Sequence, residues 1–312
     1  MPESAAGAAT ASGSGRPERI VVGYIADKRG HDAVALAAFL AEGTSTEIII
    51  TMVTPEPTAY GAYPRNPASD PIVLEQLEAW GEEARALVPA GIDVVVEQRF
   101  AESEAHGLME AAEEHGANRI VIGAQASAIL RRFTIGTVAN TLLHASTVPV
   151  ALAPAGFAEA GPVRRITCIY GTRPGAAELI GRSIERAIVR DVPVRLLSLV
   201  QVDRAAPSEV REVTQSVRDF AGERLATASK DLLASGRATI EVIEGESFED
   251  AIEGIDWREG DLALIGSSRL ANGPRIFVGN RALRILRRLP VPVVVIPRDI
   301  DPDTGVVRTL EA

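Results

Sequence analysis

Apolar residues return along this chain in two alternating ways: short, nearly continuous runs, and longer stretches in which they recur every three or four positions. The first pattern marks strands buried on both faces, the second helices that bury one stripe. RIVVGY, EIIITMV, IDVVVEQ, RIVIG and VPVALAP predict five strands in the first half of the chain. DAVALAAFLAEG, PIVLEQLEAWGEEARALVPAG, SEAHGLMEAAEEHG and TVANTLLHAS predict the helices between them. In the second of these helices Val73, Leu77, Trp80, Ala84, Leu87 and Val88 fall at helical intervals and form the expected core seam. The proline-rich PEPTAYGAYPRNPASDP that precedes it reads as an exposed loop. Strands alternating with helices that stop at glycine imply a parallel sheet covered on both faces.

The second half repeats the order: RITCIY, AELIGRSIERAIVR, VRLLSLV, a helix over 208–235, ATIEVIE, FEDAIEGIDWREG, LALIG, NRALRILRRL and VPVVVIP. GAQASAILRRFTIGT (Gly123–Thr137) returns as GSSRLANGPRIFVGN (Gly266–Asn280) at a shift of 143 residues. The same shift carries Pro149 to Pro292 and Pro154 to Pro297, while RIVVGY meets RITCIY at a shift of 146. Agreement over so long a span means two homologous domains. The expected division is a tail at 1–17, a first domain at 18–157, a linker at 158–162, a second domain at 163–298 and a tail at 299–312. The fold class is α/β, two open parallel-sheet α/β sandwiches of Rossmann-like type.

Composition narrows the chemistry. The 312 residues carry a formal net charge of −10, which argues against nucleic acid and against an anionic membrane surface as partners. No apolar run is long enough to cross a membrane, and the N-terminus lacks the basic start and hydrophobic segment of a signal peptide, so a cytoplasmic protein is expected. The single cysteine, Cys168, lies in the run ITCIY and reads as a buried strand residue. His31, His106, His115 and His144 are scattered without metal-ligand spacing, and no GxSxG elbow or carboxylate pair makes a case for hydrolysis. No catalytic residue and no metal site are predicted. Arg284, Arg287 and Arg288 form a basic helix end that complements the helix dipole.

The repeated glycine stretch is the best candidate for binding. It begins at the end of a strand and runs into a helix, and ligands of open parallel sheets favour that end, where free N–H groups and the helix dipole hold phosphate oxygens. Gly136 would permit close approach and an unusual backbone angle, and Thr137 would add a hydroxyl donor or serve as helix N-cap. The stretch is neither GxGxxG nor GxxxxGK[ST] and contains no lysine. Arg131 and Arg132 in the first copy, and Arg269 and Arg275 in the second, are the available cations.

These motifs, and the whole span from Glu18 to Arg298, resemble the universal stress protein family in tandem form. The resemblance implies a nucleotide motif of Gly, two residues, Gly, nine residues, Gly, then Ser or Thr, with adenine and ribose near the first strand and phosphates on the motif. In the first copy these positions are Gly123, Ala126, Gly136 and Thr137, so alanine replaces the second glycine. In the second copy they are Gly266, Arg269, Gly279 and Asn280, where arginine and asparagine depart from the pattern and asparagine can still cap a helix. An aspartate that the family places after the first strand falls on Ile25 and Gly171, with Asp27 two residues beyond. The resemblance also implies that the terminal strands TVPVALAP and PVPVVVIP pair antiparallel, making an intrachain pseudo-dimer, with a homodimer or an unidentified protein partner open beyond it.

Three readings follow. The first is a non-catalytic stress-response protein that binds ATP or another adenine nucleotide, with Mg if ATP, through the first domain. The second is a structural or protein-interaction module that has lost nucleotide. The third, slow ATP hydrolysis, lacks a convincing general base.

Overall fold

The computed structural model describes residues 17–56, 70–127, 130–158, 161–171, 175–202, 207–228, 230–267, 276 and 278–297. The first domain consists of β1 (Glu18–Gly23), α1 (Lys28–Ala41), β2 (Thr46–Pro55), α2 (Pro71–Ala86), β3 (Asp93–Ala101), α3 (Glu104–Glu114), β4 (Arg119–Gly123), β5 (Gln125–Ser127), β6 (Leu130–Thr134), α4 (Thr137–Ala145) and β7 (Val150–Ala153). The second consists of β8 (Arg165–Tyr170), α5 (Ala176–Val189), β9 (Val194–Gln201), α6 (Pro207–Ala228), α7 (Lys230–Ala234), β10 (Ala238–Gly245), α8 (Phe248–Glu253), β11 (Asp261–Gly266), α9 (Asn280–Leu286) and β12 (Val293–Ile296). Most of the proline-rich stretch after β2, both tails, Arg269 and Arg275 lie outside the described residues.

Ten strands form one sheet in the order β10-β9-β8-β11-β12-β7-β4-β1-β2-β3. Within each domain neighbouring strands are parallel, and the domains meet where β12 pairs antiparallel with β7 through Val293↔Leu152, Val294↔Ala151 and Val295↔Val150. Because strand side chains alternate, each residue of this pair feeds one of two cores. Ala151 and Val294 join Ile20, Ile48 and Ile180 on the face of α1 and α5, and Val150, Leu152, Val293 and Val295 join Leu108, Leu142 and Phe248 on the other. Both cores therefore run across the domain boundary. At the outer edge of β3, Arg85 donates from Nη1 to the Val94 carbonyl at 2.9 Å, which occupies a group that would otherwise invite another strand.

Two sequence expectations change. The stretch after β4 is not a plain loop, since β5 and β6 pair antiparallel as a ribbon. In α2 only Leu77, Gly81 and Ala84 are buried, while Trp80 and Leu87 are 38% and 40% exposed, because the helix covers the flank of a sheet edge rather than its centre.

Polar contacts fix the two domains further. The connector is tied to α1 by Asp32, whose carboxylate accepts from the Gly156 N–H at 2.8 Å, and by Phe157, which meets Phe39 edge-on at 5.6 Å. The Ile276 N–H donates to the Ser146 carbonyl at 2.9 Å, so the second domain's glycine stretch is fastened to the end of α4. At the starts of β1 and β4, Glu18 accepts from Arg119 at 2.7 Å and from Arg186 of the second domain at 2.5 Å. Arg190 donates to the carbonyls of Leu40 and Glu42, the negative end of α1. Burial opposes the charge on Glu18, but Arg119 and then Arg186, with Arg190 behind them, outweigh it and bring the carboxyl down to about 2.

A carboxyl depressed in the folded state contributes stability above its unfolded value and loses it as pH falls toward the folded value. Glu18→Gln is therefore expected to destabilise the chain at pH 7 by about 2–3 kcal/mol and to flatten the stability decline between roughly pH 4.5 and 2. Urea unfolding of parent and variant across this range measures both, and identical profiles would contradict the assignment.

Candidate functional site

The parallel order of the first domain reverses at β1, which pairs with β2 on one side and β4 on the other. Chains leaving these strands part in opposite directions, and a crevice opens between them. Here it is a cavity of about 460 Å³ lined by the ends of β1, β2 and β4 and by the first turns of α1, α3 and α4.

Three helix starts meet at this cavity, and their caps differ. The α1 start is closed by Asp27, whose Oδ1 accepts from the N–H groups of Arg29 and Gly30 at 2.8 and 3.2 Å. The α3 start is closed by Ser103, whose hydroxyl accepts from the His106 N–H at 3.3 Å. The N-cap of α4 is Gly136, which has no side chain to offer. The first N–H groups of α4 thus keep their dipole and donor capacity for something other than the protein's own cap.

Gly123, Gly136 and Thr137 all line the cavity, and Thr137 is exposed. Two expectations about them are corrected. Gly136 has φ −76° and ψ 179°, an extended conformation open to any residue, so it does not require glycine for an unusual angle. Thr137 is the first helical residue and not the N-cap, and in the second domain Gly279, not Asn280, holds the cap position. Ala126 lies in β5 opposite Phe133.

Gly123 has a separate reason to be glycine. A Cβ there would sit 2.0 Å from the Arg29 carbonyl oxygen, so the bare backbone lets the first turn of α1 lie on the end of β4. At Gly266 the nearest atom to such a Cβ is Leu179 Cδ2 at 3.4 Å, ordinary contact. The repeated glycine is thus required by packing in the first domain only.

Sequence reasoning did not find several cavity residues, Arg29, Glu102, Glu104, Thr51 and Tyr24 among them. Asp27, which it did name, caps α1 beside the cavity and binds the Arg29 guanidinium at 2.8 Å, so it is engaged within its own turn. Burial opposes its ionisation, but Arg29 and the N–H groups of Gly30 and Arg29 outweigh that and hold its carboxyl below the ordinary value. Arg29 lines the cavity, as do Glu102, Glu104 and Thr51, and Thr51 donates to Glu97 at 2.9 Å. Tyr24 also borders it, and burial first, then the Glu83 and Asp27 carboxylates, push its phenol up to about 12. The Asp27-x-Arg29 pair just before an apolar helix was the signal available for the cap.

His31, His115, Arg284 and Arg288, set apart earlier, have structural partners. His115 meets Glu97 at 2.8 Å, His31 meets Glu83 at 3.4 Å, and Arg284 and Arg288 pair with Glu249 and Glu253 across neighbouring helices. Cys168 is buried in β8. Among the described residues no group of His, Cys, Asp and Glu is placed to hold a metal ion, and no helix is long and apolar enough to cross a membrane.

Two doubly wound domains, with a helix start whose N-cap is glycine facing a cavity at one switch point, define a tandem α/β protein. Residues 17–154 and 162–297 each match the model of the universal stress protein family, and the chain belongs to that family. A universal stress protein of Mycobacterium tuberculosis (strain ATCC 25618 / H37Rv) is 29% identical over 289 residues, covering 89% of this chain and 99% of its own. One of Mycobacterium bovis matches to the same extent, 29% over 289 residues. The crystal structure of a universal stress protein from Archaeoglobus fulgidus DSM 4304 covers 90% of this chain and 98% of its own with a TM-score of 0.62 at 14% identity, a likeness of fold.

The two glycines give a paired prediction. Gly123→Ala must displace the first turn of α1 and is expected to cost about 2–3 kcal/mol, whereas Gly266→Ala should cost under ~1 kcal/mol. Equal losses in chemical denaturation would show that the Arg29 contact does not set the difference.

Proposed function

We propose that this chain is a non-catalytic stress-response protein of the cytoplasm that binds an adenine nucleotide in the first-domain cavity. The observation that carries the reading is the uncapped start of α4 at Gly136, directed with Thr137 at a cavity whose volume lies within the range of about 300–1,000 Å³ usual for small-molecule sites. The N–H groups following Gly136 and the Thr137 hydroxyl would hold phosphate oxygens, Gly123 and Ala126 would border them, and the ends of β1 and β2 would receive the sugar and base. ATP would bring Mg with it. Membership of the universal stress protein family supports the stress role.

A second reading, a nucleotide-independent structural or protein-interaction module, draws on the charges of the cavity. Arg29 is engaged by Asp27, and Glu102 and Glu104 present carboxylates that oppose an anion. A homodimer or another protein partner would belong to this reading as much as to the first.

Gly136→Asp separates them. Aspartate suits an N-cap in this conformation, so the variant should fold with α4 stabilised by about a few tenths of a kcal/mol while placing a carboxylate where phosphate would sit. Calorimetry with AMP and with Mg-ATP is expected to give binding to the parent and none to the variant. No binding to the parent at millimolar nucleotide would remove the first reading, and unchanged binding to the variant would move the site away from α4.

A further inference from the structure

The sheet register fixes which residues of the two domains are equivalent. Ile20 stands beside Arg119 and Ile48, and Ile166 stands beside Leu262 and Val194, so Gly23 corresponds to Ile169 and Thr51 to Leu197. The N-cap serines Ser103 and Ser247 align Glu104 with Phe248 and Ala105 with Glu249. The N-cap glycines Gly136 and Gly279 align Thr141 with Arg284.

Every first-domain member of these pairs lines the cavity. Gly23 and Ala105 are replaced by much larger side chains in the second domain, and Thr51 and Glu104 by apolar ones. Ile169, Leu197 and Phe248 are buried together in one hydrophobic cluster. Arg284 donates from Nε and Nη2 to the two carboxylate oxygens of Glu249, each at 2.6 Å, and so ties α9 to α8 with an ion pair that Thr141 and Ala105 cannot make between α4 and α3. Removing Phe248 or Ile169 from such a cluster would leave unfilled volume, so their burial also stabilises the second domain.

We propose that the second domain's cleft is closed by its own side chains, packed from within by Ile169, Leu197 and Phe248 and strapped across by the Glu249–Arg284 pair, so that the chain takes one ligand, in the first domain. The positions of Gly23, Ala105 and Thr141 are accordingly those that decide access. This rests on the nucleotide reading for the identity of the ligand, and on packing alone for the closure.

Two measurements test it. Transplanting the strap as Ala105→Glu with Thr141→Arg keeps an acidic residue in the first turn of α3, which favours folding. AMP calorimetry should give one site per parent chain, and binding weakened about tenfold or more (~1.4 kcal/mol) in the double variant, whose folding circular dichroism checks. Two sites in the parent, or parental affinity in the folded variant, overturns the closure. The second measurement needs no ligand. A Cβ at Gly23 would meet Leu108 Cδ1 at 2.8 Å and Ile122 Cγ2 at 3.1 Å, so a cysteine there displaces the flexible end of Leu108 in the cavity wall, while one at Ile169 would lie within the cluster. Against the slow background of buried Cys168, whose thiol burial pushes up to about 12, Gly23→Cys should react with a small aromatic disulfide about tenfold faster than Ile169→Cys. Equal rates overturn the closure even if AMP binds nowhere, whereas failure of AMP to bind the parent removes only the nucleotide reading.

Discussion

The antiparallel pairing of β12 with β7 is the contact on which the rest of this molecule depends. Three residue pairs join two parallel sheets into one of ten strands, and their alternating side chains complete both cores. Without it, each domain would expose a run of apolar residues along a free edge, a surface prone to aggregate. The pairing also makes the strands of the two domains run in opposite directions. The carboxyl ends of the first domain's strands lie on the side where the second domain's strands begin, so the two clefts face opposite ends of the sheet. Around this seam Glu18, Arg186 and Arg190 lock α5 against the start of β1 and the end of α1.

Within the first domain the cavity arises from winding, and its chemistry from what caps the helices around it. Asp27 and Ser103 satisfy the starts of α1 and α3 with their own side chains, and Gly136 leaves α4 open. Of the three helix starts at the cavity, α4 is thus the one whose first N–H groups no N-cap side chain engages. In the second domain α9 spans only Asn280–Leu286, and Phe248, Glu249 and Arg284 occupy the surroundings. Duplication has left one domain open and the other filled.

Much of the architecture was legible in the sequence because periodicity and repetition report burial, and burial dictates this sheet. The terminal VPV runs pair as the family resemblance implied, and Gly123, Gly136 and Thr137 meet at one cavity. What escaped were features set by local geometry. A threonine after a glycine reads equally as N-cap or first helical residue, and only the backbone angles decide for Gly136. Asp27 looked like a displaced ligand because capping by a short side chain leaves no periodic trace. The Gly123 requirement comes from the Arg29 carbonyl across the crevice, a contact between distant parts of the chain. The closure of the second domain depends on register, which pairs Gly23 with Ile169, and no single motif expresses it.

The central claim is that the open start of α4 is where the chain meets its ligand. Titration of the isotopically labelled protein with AMP, followed through backbone amide resonances by NMR, tests it most directly. The account predicts that the largest shifts fall on the amides of Thr137, Val138 and Ala139, with Asn280 and Ala282 unmoved. Shifts centred on α9, or on any surface away from the first-domain cavity, would contradict it.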